Sequence, residues 1–212
     1  QIVLLRETPK VAVCQVFEKV NTGGVSLTVF ELLTATFAVD NFNLRDDWAE
    51  RDGRLKKHRA LTSLENTDFL QAITLLVTQA RRNAASAQGV AADQLPAISC
   101  KRKDVLKVTT EDYKTWAGLI EKGLVRAAKF LTSQRIYSSR DLPYRTQLVP
   151  LAAIYATLGN DSDTENVRSK IERWFWCGVF GELYGGAVET RSAKDLPEVL
   201  AWIKGGSEPS TV

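Results

Sequence analysis

Between Asp68 and Arg82, the residues Phe69, Ala72, Ile73, Leu76 and Ala80 share one helical face. That is the three-and-four spacing of an amphipathic helix. Most of the chain keeps the same period. Trp116, Leu119, Ile120, Gly123, Ala127, Phe130 and Leu131 hold it from Thr109 to Gln134, which predicts the longest helix, about 36 Å if unbroken. Val167, Ile171, Trp174, Phe175, Gly178 and Val179 hold it again around a wide face. Asn43 to His58 is charged, with only Leu44, Trp48 and Leu55 as a thin stripe, and is expected to be largely solvated. Period-two alternation is rare. Gln1 to Arg6 alone reads as a short N-terminal strand.

End signals divide these runs into elements. Thr8-Pro9 is a cap with Pro at the first helical position, opening a helix to about Val20. Thr28 and Glu31 form a capping box for a helix to about Asp40. Asn83 to Pro96 is small and polar and predicts a mobile loop. "CKRKDVLK", from Cys100 to Lys107, predicts a short basic turn or helix. "RDLPY" and "KDLPE" look alike, each with Asp to cap and Pro in the first turn. They predict helices over about 142–158 and 196–204. Ser162 and Glu165 predict another capping box, for a helix ending near Tyr184 at Gly185-Gly186. The expected fold is all-α, an irregular bundle of about eight helices. Its core should include Phe69, Ile73, Leu76, Trp116, Ile120, Ala127, Leu148, Ile154, Ile171, Trp174 and Phe175.

Composition adds limits. With 212 residues and 44% hydrophobic content, one sizeable core can be buried. A net charge of +3 does not by itself argue for nucleic acid. Three scattered cysteines, Cys14, Cys100 and Cys177, read as buried, reduced thiols of an intracellular, cytoplasmic protein. No apolar run reaches the length of a membrane span. The chain begins at Gln1 and ends on "GGSEPSTV". It is therefore expected to be a fragment of a longer protein, one helical domain over 1–212, with 205–212 starting a linker.

Candidate chemistry is sparse. His58, the single histidine, lies in the basic run "RLKKHR", so a multi-His metal site cannot be built from this chain. No metal-ligand set is predicted. Glu111 and Asp112 occupy a helix's first turn, where acids suit the dipole. "RWFWC" fits core packing, with Trp176 off the main stripe and the one ring placed to stack a base. Lys101, Arg102 and Lys103, with Arg140, Tyr144 and Arg145, are candidates for phosphate contact. The lysines would also suit a solvated face. An Arg at a helix start opposes the dipole and needs another reason to be there. Asn21-Thr22-Gly23-Gly24 sits between two apolar runs. It would serve as a plain turn or as a cradle of backbone N–H groups for an anion.

The stretch "FEKVNTGGVSLTVFELLTA" resembles the F-x-x-x-N-x-x-G-x-x-L-x-x-x-E pattern of the GmrSD-type restriction endonuclease family, at Phe17, Asn21, Gly24, Leu27 and Glu31. "CKRKDVL", "RDLPYRTQLVPLAAI" and "WFWCGVFGELYGGAVETR" are similar to an uncharacterised bacterial branch of it. The resemblance implies a modification-dependent, phage-defence NTPase and nuclease. Such a protein pairs a ParB-like domain with a His-Asn-His-type nuclease and uses a nucleotide and a divalent metal. This chain lacks the D-G-Q-Q-R motif of the ParB-like part and has one histidine. It would be the helical portion between the two, not itself catalytic and without a cofactor of its own. Residues 1–40 would form the seam with the ParB-like domain. Asn21, Thr22, Gly23, Gly24 and Glu31 would lie at a nucleotide pocket or that seam, and the arginines and lysines would face DNA. The other expectation is a scaffold that packs on the ParB-like domain without touching DNA.

Overall fold

The computed structural model describes residues 27–212. The expected strand at Gln1–Arg6, the helix from Pro9 and the Asn21–Gly24 turn lie outside the described residues. Within them are eight α-helices and no strand: α1 (Val29–Ala38), α2 (Leu44–Leu55), α3 (Asn66–Ala87), α4 (Arg102–Val105), α5 (Thr110–Ser133), α6 (Leu148–Leu158), α7 (Glu165–Phe180) and α8 (Val188–Ile203). Short 3-10 turns precede α3 and α6 and join α6 to α7. The all-α class is as the periodicity predicts.

The fold is organised around α6. Eight consecutive residues, Leu148 to Tyr155, are buried, as only a helix covered on all sides can be. α3, α5 and α8 surround it. Contact with α5 is closest at Gly123, where an added Cβ would lie 2.3 Å from the carbonyl oxygen of Ala152. A second focus is aromatic. Phe37, Phe42, Phe69 and Tyr113 pack edge to face or tilted, with ring centroids 5.5–6.3 Å apart, joining α1 to α3 and α5. Of the predicted core, Trp116 alone is half-buried rather than buried.

The capping box of Thr28 and Glu31 forms. The Thr28 hydroxyl accepts from the Glu31 N–H at 3.2 Å, and the Glu31 carboxylate accepts from the Thr28 N–H at 2.7 Å. Several other expectations need correction. α3 continues to Ala87, five residues into the expected loop. α2 is largely solvated, as its charge suggests, and is enclosed only at the ends of its thin stripe. Leu44 and Leu55 are fully buried. Arg51 and Arg54 clasp Glu121 of α5 at 2.5 and 2.6 Å, while Asp47 accepts the Tyr113 hydroxyl at 2.6 Å.

α6 begins at Leu148, not near 142. Asp141 instead accepts from the Ser138 N–H at 2.9 Å, closing the preceding turn. Ser162 does not cap α7. Its hydroxyl donates to the Gly159 carbonyl at 2.7 Å, and Thr164 holds the cap position without a side-chain bond. α7 ends at Phe180 rather than near Tyr184, and Glu182, at φ 53°, takes the left-handed turn position. Asp195 caps nothing, because α8 runs unbroken through it and through Pro197.

Candidate nucleic-acid interface

Lys101, Arg102 and Lys103 open α4, a single helical turn held by its neighbours rather than by propensity. The approach to it is tied to α3. The Thr78 hydroxyl donates to the Ser99 carbonyl and accepts its N–H, both at 3.1 Å. Arg82 donates to the Pro96 carbonyl at 3.1 Å. The Asp104 carboxylate accepts from the Ser99 hydroxyl at 2.7 Å and from Lys107 at 2.9 Å. Burial works against its charge, but Lys107 and Ser99 outweigh burial and hold the carboxyl below its ordinary value.

This frame leaves an open cleft of about 460 Å³ between α3, the 96–99 segment, α4 and the start of α8. Lys101, Lys103, Lys107 and Arg81 line it, with Ser99 and Thr190 as neutral donors and Asp104 and Glu189 as acids. Arg81 is anchored to Asp112 at 2.7 Å. Lys101 and Lys103 are exposed. Arg102 turns the other way. Its guanidinium donates to the Leu27 carbonyl at 3.3 Å, where the described chain begins. Of the cysteines expected to be buried, Cys177 is only half-buried, Cys14 lies outside the described residues, and Cys100 is buried, where burial pushes its thiol up to about 12. A protonated, enclosed thiol does not serve as a nucleophile.

The second predicted cluster lies elsewhere. Arg145 pairs with Glu65 and lies 3.4 Å from Asp68, at the start of α3. That end of α3 is about 20 Å along the helix from Arg81. The pairing gives the arginine its reason for standing at a helix start. Burial raises the Asp68 carboxyl, with Arg145 opposing the shift. Tyr144 is half-buried and Arg140 exposed. Lys101 and Lys103 therefore share a cleft, while Arg145 is committed to an ion pair. Glu31 is exposed and occupied in its capping box, where hydrogen bonds from Thr28 lower its carboxyl. Asn21, Thr22, Gly23 and Gly24 lie outside the described residues.

Two basic cleft residues, Lys107 and Arg81, were not singled out in the sequence. Lys107 stands in the quoted basic run and could have been found there. Arg81 sits twenty residues upstream of Lys101 on another helix, and only the fold brings it in. Asp112 accepts from the Thr109 N–H at 3.0 Å and so caps α5. Trp174 and Phe175 are buried, and Trp176 is half-buried with its N–H on the Gln134 side-chain oxygen at 2.8 Å. Among the described residues no three His, Cys, Asp or Glu side chains gather as metal ligands. None of their helices is long and apolar enough to cross a membrane.

No protein-family model matches the chain. No solved structure matches it either. It is 23% identical over 199 residues to the uncharacterized protein MJ0686 of Methanocaldococcus jannaschii, a match covering 91% of this chain. The chain spans 31% of the length of that relative.

Proposed function

We propose that this chain is the helical, DNA-contacting part of a larger restriction-type defence protein, and that it sets the Lys101–Lys107 edge against a phosphate backbone. The observation that carries the reading is the convergence of Lys101, Lys103, Lys107 and Arg81 on one open cleft. Exposed lysines on a short, fixed helix position a backbone without reading its bases. The resemblance at Phe17, Asn21, Gly24, Leu27 and Glu31 supports the defence context. In it, Asn21 and Gly24 would contribute to a nucleotide pocket shared with a ParB-like domain. Catalysis would belong to the other domains of such a protein.

The test is duplex-DNA binding by fluorescence anisotropy across a salt series. Binding should weaken steeply with salt. In Lys101→Ala/Lys103→Ala the slope of log affinity against log salt should shrink by about 2, uniformly across sequences. Arg145→Ala should leave that slope unchanged. A slope insensitive to the two lysines, or no salt-dependent binding at all, overturns the proposal.

A further inference from the structure

A larger groove lies on another part of the surface, beside α5 and α7. It encloses about 1010 Å³. Val125, Phe130 and Tyr155 give it an apolar floor. Along one side Arg126 holds Asn160 and Asp163 at 2.6 and 3.1 Å. At its far end α5 and α7 close together, with the Phe130 and Phe175 rings 5.4 Å apart and Trp176 bonded to Gln134. Just beyond, Phe180 stacks on Trp176 at 5.6 Å and 24°, with 80% of its surface exposed. That is a large apolar area left in water, linked to the groove through the Trp176 ring and the lining residue Gln134.

The two flanking helices carry charges of opposite sign at the same spacing. Lys122 and Lys129 stand seven apart on α5, and Glu165 and Glu172 stand seven apart on α7. None of the four makes an ion pair among the described residues. Arg168 lies between the two glutamates. Seven residues are two helical turns, so each pair presents its charges along one line. A polyanion would meet the lysines and be repelled by the glutamates. A helix fits both walls. It would carry acids on the flank facing α5, bases on the flank facing α7, and an apolar stripe between them.

We infer that this groove receives an amphipathic helix of a protein partner, its apolar stripe on Val125, Phe130 and Tyr155 and its end packed against Phe180. Phe180 is the anchor, and the lysine and glutamate pairs select the partner's charge pattern. The surface is distinct from the lysine cleft, and the inference does not rest on DNA binding.

The probe is a displayed library of helices about five turns long. Each has a fixed leucine stripe and Glu or Lys randomised at every flanking position. Selection on the full chain should enrich clones with acids on one flank and bases on the other. The best clone should lose at least about tenfold in affinity against Phe180→Asp, and likewise against Lys122→Glu/Lys129→Glu. All these side chains are exposed, so melting temperatures should stay within a few degrees of the parent. Lys101→Ala/Lys103→Ala should bind the clone unchanged. No enrichment, enrichment of uniformly charged flanks, or equal binding by the Phe180→Asp chain would each overturn the inference. So would displacement of the clone by a thymidine oligonucleotide, which would make the groove a polyanion channel.

Discussion

Cys100 and Tyr184 show how single residues set the response to alkali. Both are almost fully enclosed. Burial pushes the Cys100 thiol up to about 12. Burial, and then Asp195, raise the Tyr184 hydroxyl well above its ordinary value. Tyr113 is raised as well, by burial and then by its bond to Asp47. In the unfolded chain the thiol ionises near 8.5 and the phenols near 10. The native state therefore keeps protons that the unfolded state releases. Their contribution to stability is complete below about pH 8.5 and is lost as pH climbs toward 12, by about 1.4 kcal/mol per pH unit for each group passed. Urea midpoints measured from pH 7 to 11 should fall from about pH 9, and Cys100→Ala should delay that onset toward 10, where the tyrosines begin. An onset unmoved by the substitution would show that the thiol is not responsible. At this scale the sequence was legible where neighbours in the chain act together. Lys101, Lys103 and Lys107 stand within one turn or two of each other. Arg81, Glu65 and Tyr184 were not, because each takes its meaning from a residue on another helix.

Two glycines of α5 separate what a helix wants from what its packing permits. At Gly123 an added Cβ would meet the Ala152 carbonyl at 2.3 Å, while at Gly118 it would meet nothing within 4 Å. Alanine is the better helix former at both. Gly118→Ala should therefore gain about 0.5–1 kcal/mol. Gly123→Ala forces α5 away from α6, the most enclosed helix, and should cost about 3 kcal/mol or more. Chemical denaturation of the two variants decides it, and equal effects would mean that the crossing is not close. Helix periodicity was legible along most of the described residues because each amphipathic run writes its own buried face. Helix ends were less so. "RDLPY" and "KDLPE" offer the same local cap, yet Asp141 closes a turn while Asp195 and Pro197 sit inside α8. Pro in a helix interior costs roughly 3 kcal/mol. Burial of Leu196, Val199, Leu200 and Trp202 on one face outweighs that cost.

The last residues show how the whole molecule overrides composition. "GGSEPSTV" reads as the start of a linker, and Gly205, at φ 98°, does end α8 as a left-handed residue should. The tail then turns back onto the helices. Glu208 accepts from Arg173 at 2.6 Å, and Ser210 bonds Glu198 at 2.8 Å and Arg191 at 2.6 Å. Pro209 and Thr211 are buried. The Thr211 hydroxyl and the Tyr184 hydroxyl both donate to Asp195, a carboxylate with no exposed surface, and Arg191 lies 3.2 Å from it. A charge enclosed this way is tolerated only while its donors stay. Thr211→Val keeps the volume and removes one donor. It should cost about 2 kcal/mol, a fall of roughly 4–8 °C in melting temperature for a chain of this size. Tyr184→Phe removes the other hydroxyl and should cost a similar amount. Either variant leaves Asp195 with a remaining hydroxyl, whereas the double variant leaves it with Arg191 alone. The pair should therefore cost more than the sum of the singles, by about 0.5–3 kcal/mol. Deleting residues 207–212 should destabilise at least as much as Thr211→Val, with a coupled loss in the Tyr184→Phe background. Strictly additive melting shifts would mean that the tail rests on the surface without sharing in the buried carboxylate's solvation.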